Sequence, residues 1–319
     1  MPKLAKIFLF LLLTAGIPAA GQSLRYSISP RNGETVLDTR RIRSAVETLS
    51  DPAMGGRAAG SYGALQAAAW LEDQFRDLAL EPLDGAFRHG FYTGGGLFCR
   101  NVIGILPGTA APARYVVVMA HYDNLGTLNG TFYPGADSNA SGVAALLQLG
   151  RMFRHMADCR KGYSAGLILV ALDAKEKDLA GAESLWKLLE QKHFDISMVV
   201  NLDQLGATLA PLTKGNPRYL MMLSEEADGR RSTLEKVNRE QQIGLELAYD
   251  YYGSKDFTRL FYRRISDQRV FLEHGIPAVM FTSGITLNNN KPTDNPSSLD
   301  YDILRERIRL IFYYLDKVL

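Results

Sequence analysis

The chain has 319 residues, of which 46% are hydrophobic and 22% are charged, so it contains enough apolar material for one large soluble core. Its formal net charge is only +2 and its basic residues are not clustered, which argues against nucleic acid or an anionic membrane surface as a partner. No internal repeat, low-complexity tract or long linker divides the chain.

The first 21 residues differ in character from the rest. Lys3 and Lys6 precede an apolar run at residues 7–13, and small residues follow up to residue 21. This order is typical of a secretory signal peptide, whose apolar part is too short to span a bilayer stably. We therefore predict a signal peptide at residues 1–21, a single domain at residues 22–319 without an integral membrane segment, and export to the periplasm or the extracellular space.

The two cysteines, Cys99 and Cys159, would enter an oxidising compartment after export. They could form one disulfide or remain two buried thiols. Their sequence positions do not distinguish these alternatives.

Hydrophobic spacing predicts the elements in chain order. It indicates helices at residues 39–49 and 62–80, then a hairpin of two strands at residues 87–92 and 99–106 with three glycines between them. From residue 116 onward strands and helices alternate. The strands are expected at residues 116–121, 165–172, 196–202, 219–223 and 276–282, and the helices at 142–156, 178–192, 232–243 and 301–318. This alternation favours an α/β fold, a three-layer αβα sandwich around a mixed, mostly parallel sheet.

Titratable side chains follow the ends of three of these strands. Because the carboxyl ends of parallel strands meet at one edge of a sheet, these side chains are expected to converge there. An imidazole among carboxylates is a plausible ligand set for a metal ion. The candidate residues, including one in the loop before the 142–156 helix, are His121, Asp123, Asp137, Asp173, Glu176 and Asp203.

At these residues the chain resembles the family of co-catalytic zinc exopeptidases that contains bacterial leucyl aminopeptidase and glutaminyl cyclase. The resemblance runs from about Asp51 to the carboxyl terminus. It rests on the motifs AHYD at 120–123, GADSNASG at 135–142, DAKE at 173–176, NLD at 201–203 and SDQ at 266–268. It implies the zinc aminopeptidase (phosphorylase/hydrolase-like) fold, up to two zinc ions, and hydrolysis of amino-terminal bonds in peptides or proteins.

The resemblance also implies a role for each matching position. His121 and Asp203 would bind one metal ion, with Asp123 orienting the imidazole from behind. Asp137 would bridge both ions, and Glu176 would bind the second ion together with a histidine from near the carboxyl end. The residue immediately before Glu176 would be a glutamate that acts as general base.

The sequence departs from this pattern at three positions. Lys175 stands at the general-base position, Asn290 stands where the last histidine ligand belongs, and Gln268 stands where relatives commonly have histidine. An ammonium cannot take a proton from a bound water unless its pKa is strongly depressed, and it repels a metal dication. A neutral amide oxygen is a poor ligand for zinc compared with imidazole. We therefore expect weakened metal binding and an impaired peptidase.

Three functions remain open on the sequence. The first is an exported metallopeptidase of aminopeptidase type that works with an altered site. The second is a catalytically inactive pseudopeptidase that binds peptides or protein amino termini. The third is a glutaminyl cyclase-like acyltransferase, suggested by residues 137–138 and 202–207. In the family this chemistry uses one zinc ion held by Asp, Glu and His, so Asn290 weakens it as well.

Overall fold

The computed structural model describes residues 32–159, 161–208, 212, 214–225 and 229–319, so the predicted signal peptide lies outside the described residues. The helices are α1 (Thr39–Leu49), α2 (Tyr62–Asp77), α3 (Gly142–Asp158), α4 (Ala180–Gln191), α5 (Arg230–Glu240), α6 (Lys255–Leu260), α7 (Gln268–Glu273) and α8 (Tyr301–Val318). The strands are β1 (Glu81–Pro82), β2 (Arg88–Tyr92), β3 (Phe98–Leu106), β4 (Arg114–His121), β5 (Gly126–Leu128), β6 (Thr131–Tyr133), β7 (Gly166–Leu172), β8 (Asp195–Leu202), β9 (Tyr219–Ser224), β10 (Glu246–Ala248) and β11 (Ala278–Thr282). Among these helices none has the length and apolar character needed to cross a membrane.

Nine of the strands form one mixed sheet. Their order is β1-β3-β7-β4-β8-β11-β9-β10, with β2 also paired to β3. The central strands β7, β4, β8 and β11 run parallel, whereas β3 and β9 run antiparallel to their central neighbours. The four parallel strands therefore bring their carboxyl ends to one edge, as the sequence predicted.

Helices cover both faces of this sheet. Successive side chains of β4 point to opposite faces. Val116 and Val118 belong to the core that includes apolar residues of α1, α2, α3 and α8, whereas Val117 and Met119 belong to the core that includes α4 and α7. The predicted three-layer αβα sandwich is therefore confirmed. Its central strand β4 is buried on both faces because one helical layer covers each face of the sheet.

The sequence located the long elements better than the short ones. The glycine-rich hairpin is confirmed, since Phe91 of β2 pairs with Cys99 of β3. Helix α2 ends at Asp77, before the predicted residue 80, because Ala79 adopts a positive φ of 50° and turns the chain into β1. The elements β1, β5, β6, β10, α6 and α7 were not predicted, because two to six residues are too few to show a clear hydrophobic period.

The structure contains two free thiols rather than a disulfide. Cys99 is buried in β3. Cys159 directly follows α3. Burial, together with the nearby carboxylates of Asp173 and Asp123, raises the pKa of Cys99 to about 12. Cys99 is therefore an inert core thiol, since only the thiolate is reactive.

Candidate active site

The carboxyl edge of the parallel strands holds a small cavity of about 220 Å³. His121 is the last residue of β4, Lys175 and Glu176 follow β7, and Asp203 follows β8. Lys175, Glu176 and Asp203 line this cavity, and Asn290 reaches it from the loop after β11. The predicted convergence of these segments is therefore what the fold produces.

The centre of the site is an ion pair between Lys175 and Asp203. The Nζ atom of Lys175 donates to Oδ2 of Asp203 at 2.6 Å and lies 3.0 Å from Nε2 of His121. The Lys175 side chain is only 15% exposed and that of Asp203 only 4%, so water screens their attraction weakly. The ammonium thus lies between the two side chains that the sequence assigned to one metal ion.

Lys175 and Asp203 are both charged in this arrangement. Burial opposes the charge of Lys175, but the carboxylates of Asp203 and Asp267 outweigh it and hold the pKa of Lys175 above its usual range. Burial likewise opposes the charge of Asp203, but Lys175 and His121 outweigh it and hold the pKa of this carboxylate far below its ordinary value. Lys175 therefore has no lone pair to offer as a general base.

His121 accepts a hydrogen bond from the Lys175 ammonium through Nε2. Burial and Lys175 oppose its protonation, whereas its hydrogen bonds to Asp123 and Asp203 raise the pKa of His121 to about 9. A contact of 3.0 Å between Nζ and Nε2 accommodates one proton, and the stronger base, Lys175, keeps it. The Nε2 atom of His121 therefore faces the Lys175 ammonium and is not free to bind a metal ion in this arrangement.

Asp123 lies behind His121, where the sequence placed it. Nδ1 of His121 is 3.1 Å from the backbone carbonyl of Asp123 and 3.5 Å from its Oδ1 atom. The Asp123 carboxylate also accepts hydrogen bonds from the backbone N–H groups of Lys175 at 3.1 Å and Glu176 at 3.3 Å. It thereby fixes both the imidazole and the segment that carries Lys175.

The residue at the mouth of the cavity in the loop before α3 is Ser138, not Asp137. Ser138 lines the cavity, whereas Oδ1 of Asp137 accepts hydrogen bonds from the backbone N–H groups of Gly206 at 2.7 Å and Ala207 at 3.2 Å. Burial, with the nearby Asp294, raises the pKa of Asp137 to about 7. The structure therefore places Ser138 rather than Asp137 at the cavity, and a bridging role of Asp137 stays a prediction of the resemblance.

Four further positions singled out in the sequence have distinct environments. Glu176 and Asn290 are both exposed and both line the cavity. The backbone of Asn290 has a positive φ of 56°. Asp173 accepts hydrogen bonds from the backbone N–H groups of its neighbours and does not line the cavity. Gln268 is buried, where it accepts from Asn201 at 2.8 Å and donates to a backbone carbonyl, so it organises the core beside the site.

A buried carboxylate that the sequence interpretation did not single out lies beneath the ion pair. Asp267 is fully buried, and neither of its oxygens has a hydrogen-bond partner among the described residues. Burial raises the pKa of Asp267 to about 6, although Lys175 and His121 oppose the rise. Its motif, SDQ at residues 266–268, was recognised, but nothing in the pattern showed that the acid faces Lys175.

Arg57 holds the site loops together, a role that the sequence pattern does not indicate. This fully buried guanidinium donates to the backbone carbonyls of Tyr122 at 2.7 Å, of Pro134 at 2.9 Å and of Gly135 at 2.9 Å, and also to that of Leu49. It thereby joins the end of β4 to the loop that carries Ser138. The only available signal was an arginine directly after two glycines in an otherwise apolar neighbourhood.

Replacing Arg57 by methionine is expected to lower the free energy of unfolding by about 2–3 kcal/mol, because several buried carbonyl groups lose their donor. Urea denaturation measures this change. The control is Arg154→Met, which removes a surface pair with Asp158 and should cost at most about 1 kcal/mol. Equal losses in the two variants would show that Arg57 does not tie these loops together.

These residues do not form a zinc site. Among the described residues, no group of three or more His, Cys, Asp or Glu side chains is arranged to hold a metal ion. The space between His121 and Asp203 is filled by the Lys175 ammonium, and Asp137 is bonded elsewhere. The donor set that zinc requires is therefore absent in this arrangement.

Comparison with known families identifies the chain's relationship. The family model described as Peptidase family M28 matches residues 101–315, which is more than half of the chain. The chain belongs to peptidase family M28. This result confirms the resemblance to zinc exopeptidases that the sequence motifs indicated.

Among curated M28 relatives, the chain is 28% identical over 202 residues to a protein of Pyrenophora tritici-repentis named "Probable zinc metalloprotease". That match covers 57% of this chain and 45% of the relative, so the chain spans about half the length of this protein. The chain is also 26% identical over 209 residues to the uncharacterized protein YfbL of Escherichia coli. This match covers 60% of the chain and 63% of the relative.

Solved structures with the same fold include aminopeptidases and a glutaminyl cyclase. The LapA aminopeptidase of Legionella pneumophila has a TM-score of 0.70 at 17% identity, covering 90% of this chain and 73% of that chain. The Bacillus subtilis zinc aminopeptidase has a TM-score of 0.69 at 13% identity, with 88% and 95% covered. The glutaminyl cyclase of Porphyromonas gingivalis has a TM-score of 0.67 at 17% identity, with 88% and 99% covered. At these identities the likeness establishes the fold alone.

Proposed function

We propose that this M28 protein binds the amino-terminal residues of peptides without hydrolysing them and without a pair of zinc ions. The observation that carries the proposal is the position of the Lys175 ammonium, 2.6 Å from Asp203 and 3.0 Å from His121. Because this one side chain fills a ligand gap and stands at the general-base position, it removes two requirements of metallopeptidase chemistry together. The glutaminyl cyclase-like alternative needs the same ligands and is weakened equally.

The cavity beside the ion pair suits a peptide amino terminus. The carboxylate of Glu176 lies at its rim and makes no hydrogen bond or ion pair among the described residues. Apolar side chains also line the cavity, including Tyr251, Phe261 and Met280. An ammonium group pairs with the carboxylate while the first side chain of the peptide contacts these apolar side chains, so an apolar first residue is favoured.

A peptide that starts with leucine should bind measurably, and its amino-acetylated counterpart should bind about three- to tenfold more weakly, because acetylation removes the charge that pairs with Glu176. Glu176→Gln should produce a similar loss for the free peptide. Glu190→Gln, on the exposed side of α4, is the matched control and should change nothing. Calorimetric titration measures the affinities.

The same peptide should remain intact after prolonged incubation with the protein and added zinc. Mass spectrometry detects any loss of its first residue. A shortened peptide would overturn the absence of hydrolysis, and equal affinities for the free and acetylated peptides would overturn recognition of the amino terminus.

We also propose that the protein is exported to the periplasm or the extracellular space. The support is the charged start, the short apolar run and the small residues that precede Gln22. Amino-terminal sequencing of the protein from an expressing cell should find Gln22 or a near neighbour as the first residue. An intact Met1 on the mature protein would contradict export by this route.

A further inference from the structure

A groove of about 890 Å³ leads away from the cavity between helix α4 and the β2–β3 hairpin. Glu176 lines both the groove and the cavity, so the two spaces meet at its carboxylate. The helix contributes Ala180, Glu183, Ser184, Lys187, Leu188 and Gln191 to the groove. These positions recur every three or four residues and therefore share one face of α4, which forms a continuous wall.

The distance along α4 from the cavity end of the groove to Lys187 sets the length of an extended occupant that reaches Lys187. From Ala180 to Lys187 the helix rises ~10 Å at 1.5 Å per residue, which is the length of about three residues of an extended peptide. One more residue occupies the cavity beyond Glu176. A peptide that extends from the cavity to Lys187 therefore has about four residues.

The unpaired charges of the wall give the occupant a direction. Glu176 at the cavity end and Lys187, about two turns along α4, make no ion pair among the described residues. Lys177 and Asp178 carry opposite charges at adjacent positions and balance each other, and Glu183 places a carboxylate midway along the helix. The charge of the wall is thus negative near the cavity and positive around Lys187.

We infer that the groove binds short peptides with both termini free, with the amino terminus at Glu176, the carboxylate at Lys187 and a basic or neutral residue opposite Glu183. This inference rests on the proposed function, because it takes the cavity as the site of the amino terminus. The hairpin side of the groove offers exposed apolar side chains, with Tyr92 73% exposed and Leu97 39% exposed, which contact the peptide side chains that face away from α4.

The test uses a tetrapeptide of leucine, lysine and two alanines, together with its carboxy-amidated form, its amino-acetylated form and a form extended by six residues at the carboxyl end. Binding of each is measured by calorimetry to the unaltered protein and to Lys187→Glu. Amidation, extension and Lys187→Glu should each weaken binding by about three- to tenfold. Amidation should cause no further loss in Lys187→Glu, because the partner charge has already been removed. Lys236→Glu, a charge reversal on exposed α5, is the control and should bind like the unaltered protein.

The outcomes separate this inference from the proposed function. If acetylation weakens binding but amidation, extension and Lys187→Glu have no effect, the groove inference is wrong while amino-terminal recognition stands. If acetylation has no effect but amidation and Lys187→Glu do, the groove holds the carboxylate and the proposed role of Glu176 is wrong. If none of the four peptides binds, both are overturned.

Discussion

The Lys175→Met variant is expected to unfold with a free energy about 3–5 kcal/mol lower than that of the unaltered protein. Methionine preserves most of the side-chain volume but leaves Asp203 and Asp267 buried without the cation that balances them. Removing one partner of a buried pair costs much more than the pair contributes, because the remaining charge has lost its water and gains no substitute. Urea denaturation with circular dichroism measures the loss.

The matched control for this experiment is Lys192→Met. Lys192 pairs with Asp84 at 2.8 Å, a distance close to that in the Lys175 pair, but its side chain is 38% exposed and that of Asp84 is 66% exposed. Water solvates Asp84 after the substitution, so the expected loss is at most about 1 kcal/mol. If the two variants lost similar stability, Lys175 would not be the cation that balances the buried acids.

A second variant should assemble a zinc site in place of the Lys175 ion pair. We expect Ser138→Asp, Lys175→Glu and Asn290→His together to bind zinc and to increase hydrolysis of aminoacyl reporter substrates by on the order of 10²-fold or more. Ser138 is included because it, and not Asp137, lines the cavity. Lys175→Glu supplies the base and frees His121 and Asp203, and Asn290→His supplies an imidazole.

The three substitutions should act as a unit, so each single variant should gain little or nothing. Metal analysis and the hydrolysis assay are performed on the unaltered protein, the three single variants and the triple variant. The matching control is Asp137→Ser in the triple variant, which should keep its zinc. Additive gains from the single variants, or a triple variant without zinc, would contradict this view of the site.

The fold and the edge that holds the site could be predicted because they depend on long-range regularities of the sequence. Four buried strands with apolar runs define a parallel core, and the residues that follow them must share an edge. His121 and Asp203 were therefore expected to meet, and they lie 3.5 Å apart from Nε2 to Oδ1. The identity of Lys175 at the general-base position also predicts an impaired site, and this stays a prediction.

The local details could not be predicted because they depend on irregular backbone. Ser138 and Asn139 have φ values of −108° and −137°, neither of them helical, so no periodicity indicates which of Asp137 and Ser138 faces the cavity. Arg57 bonds only to backbone carbonyls, which leave no trace in the sequence. The contact between Lys175 and His121 likewise depends on a side-chain rotamer and not on the order of residues.

Zinc titration of the unaltered, purified protein, with metal content measured after dialysis, tests most directly whether Lys175 stands in the place of the metal. With the ammonium between His121 and Asp203, we expect fewer than two zinc ions per chain, weakly held, and negligible hydrolysis of aminoacyl reporters at saturating zinc. Two tightly bound zinc ions per chain together with brisk turnover would contradict the arrangement, since zinc could then enter only by displacing Lys175 from both partners.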